Sequence, residues 1–127
     1  MKTYSELFHV GPFAVSSLAF SPDGSILAIG SENGTLTLLS TATYQHLATS
    51  DGHRGPVTSI AFSPDGSMIV TGGLDKTVHV WETSAGDKLA TLEGHQGRVN
   101  AVVFNPDGTI IATVSEDATV RLWSVPE

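Results

Sequence analysis

The chain has 127 residues, of which 40% are hydrophobic and 15% charged, a balance typical of one globular domain rather than a disordered segment. Its formal net charge of −7 disfavours contact with a phosphate backbone, so we expect no nucleic-acid partner. The chain contains no cysteine, which excludes a disulfide framework and thiolate chemistry.

The first ten residues contain one positive charge and no apolar run of the kind that forms the core of a signal peptide. No later stretch is apolar over the length that a membrane span requires. The sequence therefore predicts a cytoplasmic protein with no membrane partner.

The chain repeats itself at a fixed spacing. A turn sequence that continues with Pro-Asp-Gly begins at Ser21, Ser63 and Asn105, which places the copies 42 residues apart. Residues 52–85 and 94–127 are identical at 14 of 34 positions when aligned without a gap. Repetition at this period indicates that one supersecondary unit occurs several times in succession.

Within the second repeat, runs of β-branched and aromatic residues alternate with turn residues. The runs predict strands at residues 57–62, 68–71, 77–81 and 88–92, with a tight connection at residues 72–76. Pro-Asp-Gly suits a turn because proline fixes φ and glycine adopts the left-handed conformation. No window has an apolar stripe at helical spacing. The sequence therefore predicts an all-β protein made of four-stranded antiparallel units.

Three short motifs recur together: Gly-His, then Phe-Ser-Pro-Asp-Gly after a valine-rich strand, then Asp-x-Thr-Val-x-x-Trp. Their combination resembles the WD-repeat β-propeller family over essentially the whole chain. The resemblance implies a single domain at 1–127 with three four-stranded blades, a half-propeller. The blades are expected at about 10–51, 52–93 and 94–127, and the third repeat ends after its third strand.

The resemblance also implies a buried hydrogen-bond network in a blade, made by a histidine, a strand threonine, a turn aspartate and a tryptophan. The matching residues are His53, Thr71, Asp75 and Trp81 in the second repeat and His95, Thr113, Asp117 and Trp123 in the third. A threonine hydroxyl can accept from the indole N–H and donate to histidine. The corresponding positions of the first repeat are Gly11, Ile29, Asn33 and Leu39, a joint loss expected because a partly satisfied network is costly.

Threonine, histidine and aspartate also form catalytic sets in hydrolases. We interpret both sets here as structural, because an active site normally occurs once and its nucleophile must meet substrate. The five histidines have no close zinc-motif spacing, so a metal site would need ligands from separate blades. We therefore expect no enzyme activity, no catalytic residue, no metal and no cofactor.

Five residues fall in or beside the loops that the family places on one rim of the propeller: Arg54, Leu74, Arg98, Asn100 and Glu116. Loops on a rigid scaffold often carry binding, and arginine is enriched at interfaces. These residues are the candidate contacts of an unidentified protein or peptide partner, and the sequence predicts a non-catalytic interaction scaffold.

Three blades do not close into a ring, so a half-propeller leaves two apolar faces exposed, which indicates an interface. Residues 4–9 lie where a fourth strand would precede the first repeat. We predict a head-to-tail homo-oligomer in which this clasp strand, residues 4–9, completes the last blade of another copy. A homodimer with six blades is favoured, and a trimer with nine is the other possibility.

Other interpretations stay open. The chain is alternatively a fragment or subunit of a larger propeller, or a small-ligand or enzymatic propeller that uses its central channel. A further alternative is a chain that serves only assembly. Against a channel site, the residues expected near the channel, Ala14, Pro56 and Arg98, do not form a catalytic set.

Overall fold

The computed structural model of the protein describes residues 2–126; Met1 and Glu127, the two ends of the predicted domain, lie outside the described residues. The strands are β1 Val15–Phe20, β2 Ile26–Ser31, β3 Thr35–Ser40, β4 His46–Asp51, β5 Val57–Phe62, β6 Met68–Gly73, β7 Val78–Glu82, β8 Lys88–Leu92, β9 Val99–Phe104, β10 Ile110–Ser115 and β11 Val120–Ser124. The predicted all-β class is confirmed. Residues 2–126 contain no helix that is long and apolar enough to cross a membrane.

The strands form three antiparallel sheets, each a simple up-and-down meander. The first blade is β1-β2-β3-β4, the second is β5-β6-β7-β8, and the third is β9-β10-β11, in which β11 is the outer edge within the described residues. In the second blade, β5 and β8 have the predicted bounds. Gly72 and Gly73, predicted as part of a turn, lie in β6, where both pair with β5 and Gly72 also pairs with β7.

The recurring Pro-Asp-Gly turns connect the first and second strands of every blade. The glycine amide donates to the carbonyl of the first turn residue in each copy, at 2.9, 2.9 and 3.0 Å. Gly24, Gly66 and Gly108 have φ between +75° and +77°, a conformation that favours glycine. The same local chemistry thus reverses the chain three times at the same place.

The innermost strands β1, β5 and β9 each contain a bulge at their second residue, which is Ser16, Thr58 or Asn100. The Ser16 hydroxyl donates to the Val57 carbonyl at 2.7 Å, and the Thr58 hydroxyl donates to the Val99 carbonyl. A bulge re-aims a side chain out of the regular ladder. Here it lets β1 bind β5, and β5 bind β9.

The hydrophobic core lies between blades rather than inside them. Two clusters of buried residues fill the junctions between the first and second blades and between the second and third. The buried members are Ala28, Leu36, Leu38, Val57, Ile60, Ile69 and Trp81 at the first junction, and Val70, Val78, Val80, Val99, Val102 and Ile111 at the second. A blade that lacks a neighbour on one side therefore leaves that apolar side uncovered.

The segment before β1 forms no strand in the single chain. Its Phe8 ring stacks on Tyr44, with ring centroids 4.7 Å apart and planes at 6°. Together with the side of the first blade that carries Val15, Leu18 and Phe20, the segment lines an open cleft of about 530 Å³. The predicted clasp at residues 4–9 requires a second chain, so its pairing stays a prediction.

Candidate interaction surfaces

The second blade brings His53, Thr71, Asp75 and Trp81 together as one chain of hydrogen bonds. The Trp81 indole N–H donates to the Thr71 hydroxyl at 2.9 Å, and the same hydroxyl lies 2.8 Å from His53 Nε2. His53 Nδ1 lies 3.0 Å from an Asp75 carboxylate oxygen. Because a carboxylate only accepts, the proton of neutral His53 is on Nδ1, which leaves Nε2 to accept from Thr71.

The third blade repeats this arrangement with His95, Thr113, Asp117 and Trp123. The indole–threonine distance is 3.0 Å, the threonine–histidine distance is 2.7 Å and the histidine–aspartate distance is 3.2 Å. The Thr119 hydroxyl and then the Gln96 backbone N–H hold the pKa of Asp117 well below its usual range. Two independent copies of the network therefore join loop, strand and turn in two blades.

Two threonines that the sequence analysis did not single out complete these networks. Thr77 donates to Asp75 at 2.7 Å, and Thr119 occupies the same place beside Asp117. The signal was present in the sequence as Asp-x-Thr in both repeats. Burial alone would raise the pKa of Asp75, but the Arg54 backbone N–H, His53 and Thr77 outweigh it and bring that pKa to about 2. Asp75 is therefore an anion that holds the loop before β5.

His79 distinguishes the second blade from the others. Its ring is buried, meets the His53 ring edge-on at 4.3 Å and lies within hydrogen-bond distance of Thr77 and Thr91. Burial, and then the nearby His53 and Lys88, lower the pKa of His79 to about 4. The corresponding residues are Thr37 in the first blade and Arg121 in the third, so this buried neutral histidine occurs once in the described chain.

His53, Asp75 and His79 offer ligand atoms that lie within 4.8 Å of one another. The spacing of the histidines predicted that metal ligands would have to come from separate blades, whereas the register of β6 and β7 brings these three residues together in one blade. Each histidine nitrogen already has a protein partner among Thr71, Asp75, Thr77 and Thr91. The cluster is thus a completed hydrogen-bond network, and the absence of a metal stays a prediction.

The first blade has apolar or local contacts in place of the network. Ile29 and Leu39 are buried where the other blades have threonine and tryptophan. Asn33 accepts hydrogen bonds from its neighbours Ser31 and Thr35 and so closes only its own turn. The first blade therefore folds without the hydrogen-bond network that joins loop and tryptophan in the other two blades.

Four of the five predicted rim residues lie in loops at one end of the blades. Arg54 and Leu74 are exposed in the second blade, and Arg98 and Glu116 form an exposed ion pair at 2.7 Å in the third. An exposed pair of this kind contributes little to stability, so both side chains are available to a partner. Asn100 differs from the other four, because it lies inside β9 at the bulge, the position from which Ser16 and Thr58 bind the next blade.

Each blade has an incoming face, toward the preceding blade, and an outgoing face, toward the following one. Two of these faces have no neighbouring blade in the single chain, and we call them the open faces, although the segment before β1 partly covers the first of them. The incoming face of the first blade carries Val15, Leu18, Phe20, Leu27, Ile29 and Leu39, and the outgoing face of the third carries Val103, Ile110, Ala112, Val114, Val120 and Leu122. At the internal junctions the corresponding residues are largely buried, whereas Leu18 is 60% exposed and Leu122 is 69% exposed. Each open face therefore carries the residues of one side of an internal junction, without the blade that would supply the other side.

The family model described as WD domain, G-beta repeat matches three consecutive segments, residues 3–39, 44–82 and 86–124. These segments cover most of the chain, and the structure shows the blades that they imply. The chain belongs to the WD40 repeat family.

Solved structures of other chains have the same fold as this WD40 chain. The structure of U3-55K matches with a TM-score of 0.87 and 23% sequence identity, over 92% of this chain and 38% of that one. The crystal structure of RRP9 WD40 repeats matches with a TM-score of 0.86 and 23% identity, over 92% of this chain and 37% of that one. The WD40 chain thus spans well under half the length of the chains in these two structures, and the likeness is one of fold. Comparison with the curated proteins finds no match.

Proposed function

We propose that this WD40 chain is a non-catalytic scaffold for protein–protein interactions, acting in the cytoplasm. The WD40 propeller fold is typical of such scaffolds. The exposed rim, with Arg54, Leu74, Arg98 and Glu116, presents charged and apolar side chains on loops that a rigid set of blades holds in place. A protein or peptide partner would meet this rim.

The buried networks support a structural rather than a catalytic role for the Thr-His-Asp sets. Thr71 and Thr113 are each 0% exposed, and each hydroxyl is bonded to both a tryptophan and a histidine. A nucleophile must reach its substrate in an accessible site. A hydrolase using either set would first have to open a blade.

The two open faces support the second part of the proposal, in which copies of this chain join head to tail. The outgoing face of the third blade meets the incoming face of the first blade of another copy, and two copies give a ring of six blades. The observation that carries this proposal is that the open faces are the two different halves of one kind of junction. Repetition of that contact closes a ring by rotation.

Size-exclusion chromatography with light scattering tests the assembly. A mass of about twice 13.3 kDa is expected for the six-bladed ring, and a mass of about three times 13.3 kDa would instead give nine blades. A well-folded monomer at all concentrations would contradict head-to-tail assembly. An aggregated chain would favour the alternative in which blades of another polypeptide cover the faces.

A further inference from the structure

The two ends of the blades differ in charge. The rim end carries both signs and includes the cations Arg54, Lys76 and Arg98. The opposite end, which we call the turn end, has the connections at residues 21–25, 41–45, 63–67, 83–87 and 105–109, and none of them contains lysine or arginine. Its exposed acidic residues are Asp23, Asp65, Glu82, Asp87 and Asp107. The turn end therefore favours the approach of a cationic partner.

Lys88 does not cancel this negative charge. It follows Asp87 as the first residue of β8, but it lines a separate cleft together with Asp75, Thr77 and His79. After burial and His53, the charge of Lys88 contributes to the low pKa of His79. Its ammonium group is therefore associated with the buried network and not with the turn end.

A cavity of about 530 Å³ opens at the turn end of the second blade. Asp65 and Gly66 line it from the turn between β5 and β6, and Glu82 and Thr83 line it from the end of β7 and the connection that follows. Met68 adds an apolar wall, because it pairs with Glu82 across β6 and β7. Two separate turns thus place two carboxylates and a hydroxyl-bearing residue around one cavity.

Each of the two carboxylates uses only one oxygen for its side-chain partners. Asp65 accepts from the Ser63 and Ser67 hydroxyls through Oδ1, each at 2.8 Å, and Glu82 accepts from the Ser84 hydroxyl through Oε1. The Ser67 backbone N–H and then these two hydroxyls lower the pKa of Asp65 to about 2, so the group is an anion. Oδ2 of Asp65 and Oε2 of Glu82 are left to accept hydrogen bonds from a ligand.

Thr83 provides a second and independent observation. The residue is 8% exposed, and its hydroxyl has no hydrogen-bond partner within residues 2–126. The corresponding hydroxyl of the first blade, on Thr41, donates to the Gly24 carbonyl at 2.6 Å, and the third blade has Val125 at this place. An unpaired buried hydroxyl costs free energy. Its presence beside two carboxylates indicates that its partner comes from outside the chain.

The combination belongs to the second blade alone within the described chain. All three blades have an aspartate in the Pro-Asp-Gly turn, where it accepts from neighbouring residues of that turn. Glu82 has no such explanation, because Ser40 and Ser124 occupy its place in the other two blades. The fold therefore does not require a second carboxylate here, and a ligand does.

A guanidinium group suits these acceptors. It has five N–H donors in one plane, it can bond to more than one acceptor at once, and its weak hydration tolerates an apolar wall such as Met68. A calcium ion fits less well, because it takes about six to eight oxygen ligands. The cavity therefore matches an arginine side chain better than a metal ion.

We infer that the turn end of the second blade binds a basic segment of a partner protein, with one arginine side chain in the cavity. The guanidinium donates to Asp65, Glu82 and the Thr83 hydroxyl, and the other carboxylates of the turn end attract basic residues on either side of the arginine. This surface lies opposite the rim and apart from the two open faces. It is therefore independent of head-to-tail assembly.

Fluorescence anisotropy with the full chain and a labelled peptide, Gly-Lys-Gly-Arg-Gly-Lys-Gly, tests the site. Glu82→Gln and Asp65→Asn should each raise the dissociation constant about fivefold, because each removes a charge-assisted hydrogen bond. A peptide with glutamine in place of its arginine should bind more weakly and should no longer respond to Glu82→Gln. Coupling of this kind between one residue of the chain and one of the peptide reports a direct contact.

Asp87→Asn and Asp107→Asn are the matched controls. Asp87 lies in the same connection as Thr83 but does not line the cavity, and Asp107 has the place of Asp65 in the turn of the third blade. Both variants lose the same charge, so each should raise the dissociation constant less than about twofold through long-range attraction alone. Circular dichroism verifies that every variant is folded.

Thr83→Val separates a binding role of the hydroxyl from a structural one. The change installs the residue that the third blade has at this place, Val125. We expect the dissociation constant to rise about threefold and the melting temperature to stay equal or rise, because no hydrogen bond within the chain is lost. A lower melting temperature with unchanged peptide binding would show that Thr83 serves the fold, as Thr41 does, and would overturn the inference.

The remaining outcomes are equally distinct. Effects confined to Asp65, Glu82 and Thr83, and coupled to the arginine of the peptide, support the site. Equal effects of all four carboxylate variants would show that the peptide responds only to net charge, which overturns the inference. Absence of measurable binding overturns it as well, and neither result bears on the rim or on head-to-tail assembly.

Discussion

At the scale of the residue, the second blade concentrates its polar chemistry around one buried histidine pair. His53 and His79 touch, and burial is the main cause that lowers the pKa of each ring. Asp75 favours the charged form of both rings, whereas Lys88 opposes it. Because burial prevails, both rings are neutral near pH 7, and the network of threonine hydroxyls is arranged for neutral imidazoles.

Protonation of His79 at acidic pH should therefore lower the free energy of unfolding. Its pKa is about 4 in the folded chain and about 6.5 in the unfolded chain, so the unfolded state binds more protons between these values. Stability is fully present above about pH 6.5 and falls by up to about 3 kcal/mol as the pH decreases toward 4. Urea unfolding at fixed chain concentration measures this loss.

His79→Thr is the informative variant, because the first blade folds with Thr37 at this place. It should reduce the loss of stability in this pH window. The remaining loss comes from His53 and, toward pH 4, from the aspartates whose pKa the fold lowers. An unchanged pH dependence in His79→Thr would show that protonation of His79 does not cause the loss of stability.

At the scale of the element, strands and turns follow from local sequence, but contacts between blades do not. The bounds of β5 and β8 were predictable from alternating residues and Pro-Asp-Gly turns. Gly72 and Gly73 resemble a turn in sequence, yet Gly72 lies in a strand, at a place where Val99 of the next blade leaves no space for a side chain. The proximity of His53 and His79 depends on sheet register, which no local pattern specifies.

The segment before β1 has two possible positions, and they compete. In the single chain it covers the incoming face of the first blade, where Phe8 stacks on Tyr44. As a clasp, residues 4–9 would instead pair with the open edge of β11 in another copy, since unpaired strand edges are ready templates for pairing. The first arrangement protects an apolar face, whereas the second completes the third blade.

Deletion of residues 2–9 should weaken self-association if the clasp forms. The variant loses the strand that pairs with β11, although it also uncovers the incoming face for docking. We expect the dissociation constant to rise about tenfold or more, since several backbone hydrogen bonds at about 1 kcal/mol each are lost. Phe8→Ala is the control, because it removes the stacking on Tyr44 and leaves the backbone able to pair. Tighter association of the deletion variant would show that the segment is a cover and not a clasp.

At the scale of the whole molecule, the stability of the chain depends on its assembly. The core of this chain lies in its two internal junctions, so a closed ring adds one further junction for every chain. Each chain has a net charge of −7, and mutual repulsion opposes the contact. Apolar burial at the open faces must exceed that repulsion for the ring to persist.

The melting temperature should consequently rise with chain concentration. Binding that occurs only between folded chains stabilises them by mass action, so the folded state gains in proportion to the logarithm of concentration. Scanning calorimetry across a hundredfold range of concentration measures the rise, and Val120→Gly, which removes apolar contact from the open face, should reduce it. A melting temperature that does not change with concentration would mean that the two open faces contribute nothing to stability in solution. Blades outside these 127 residues would then be required to cover them.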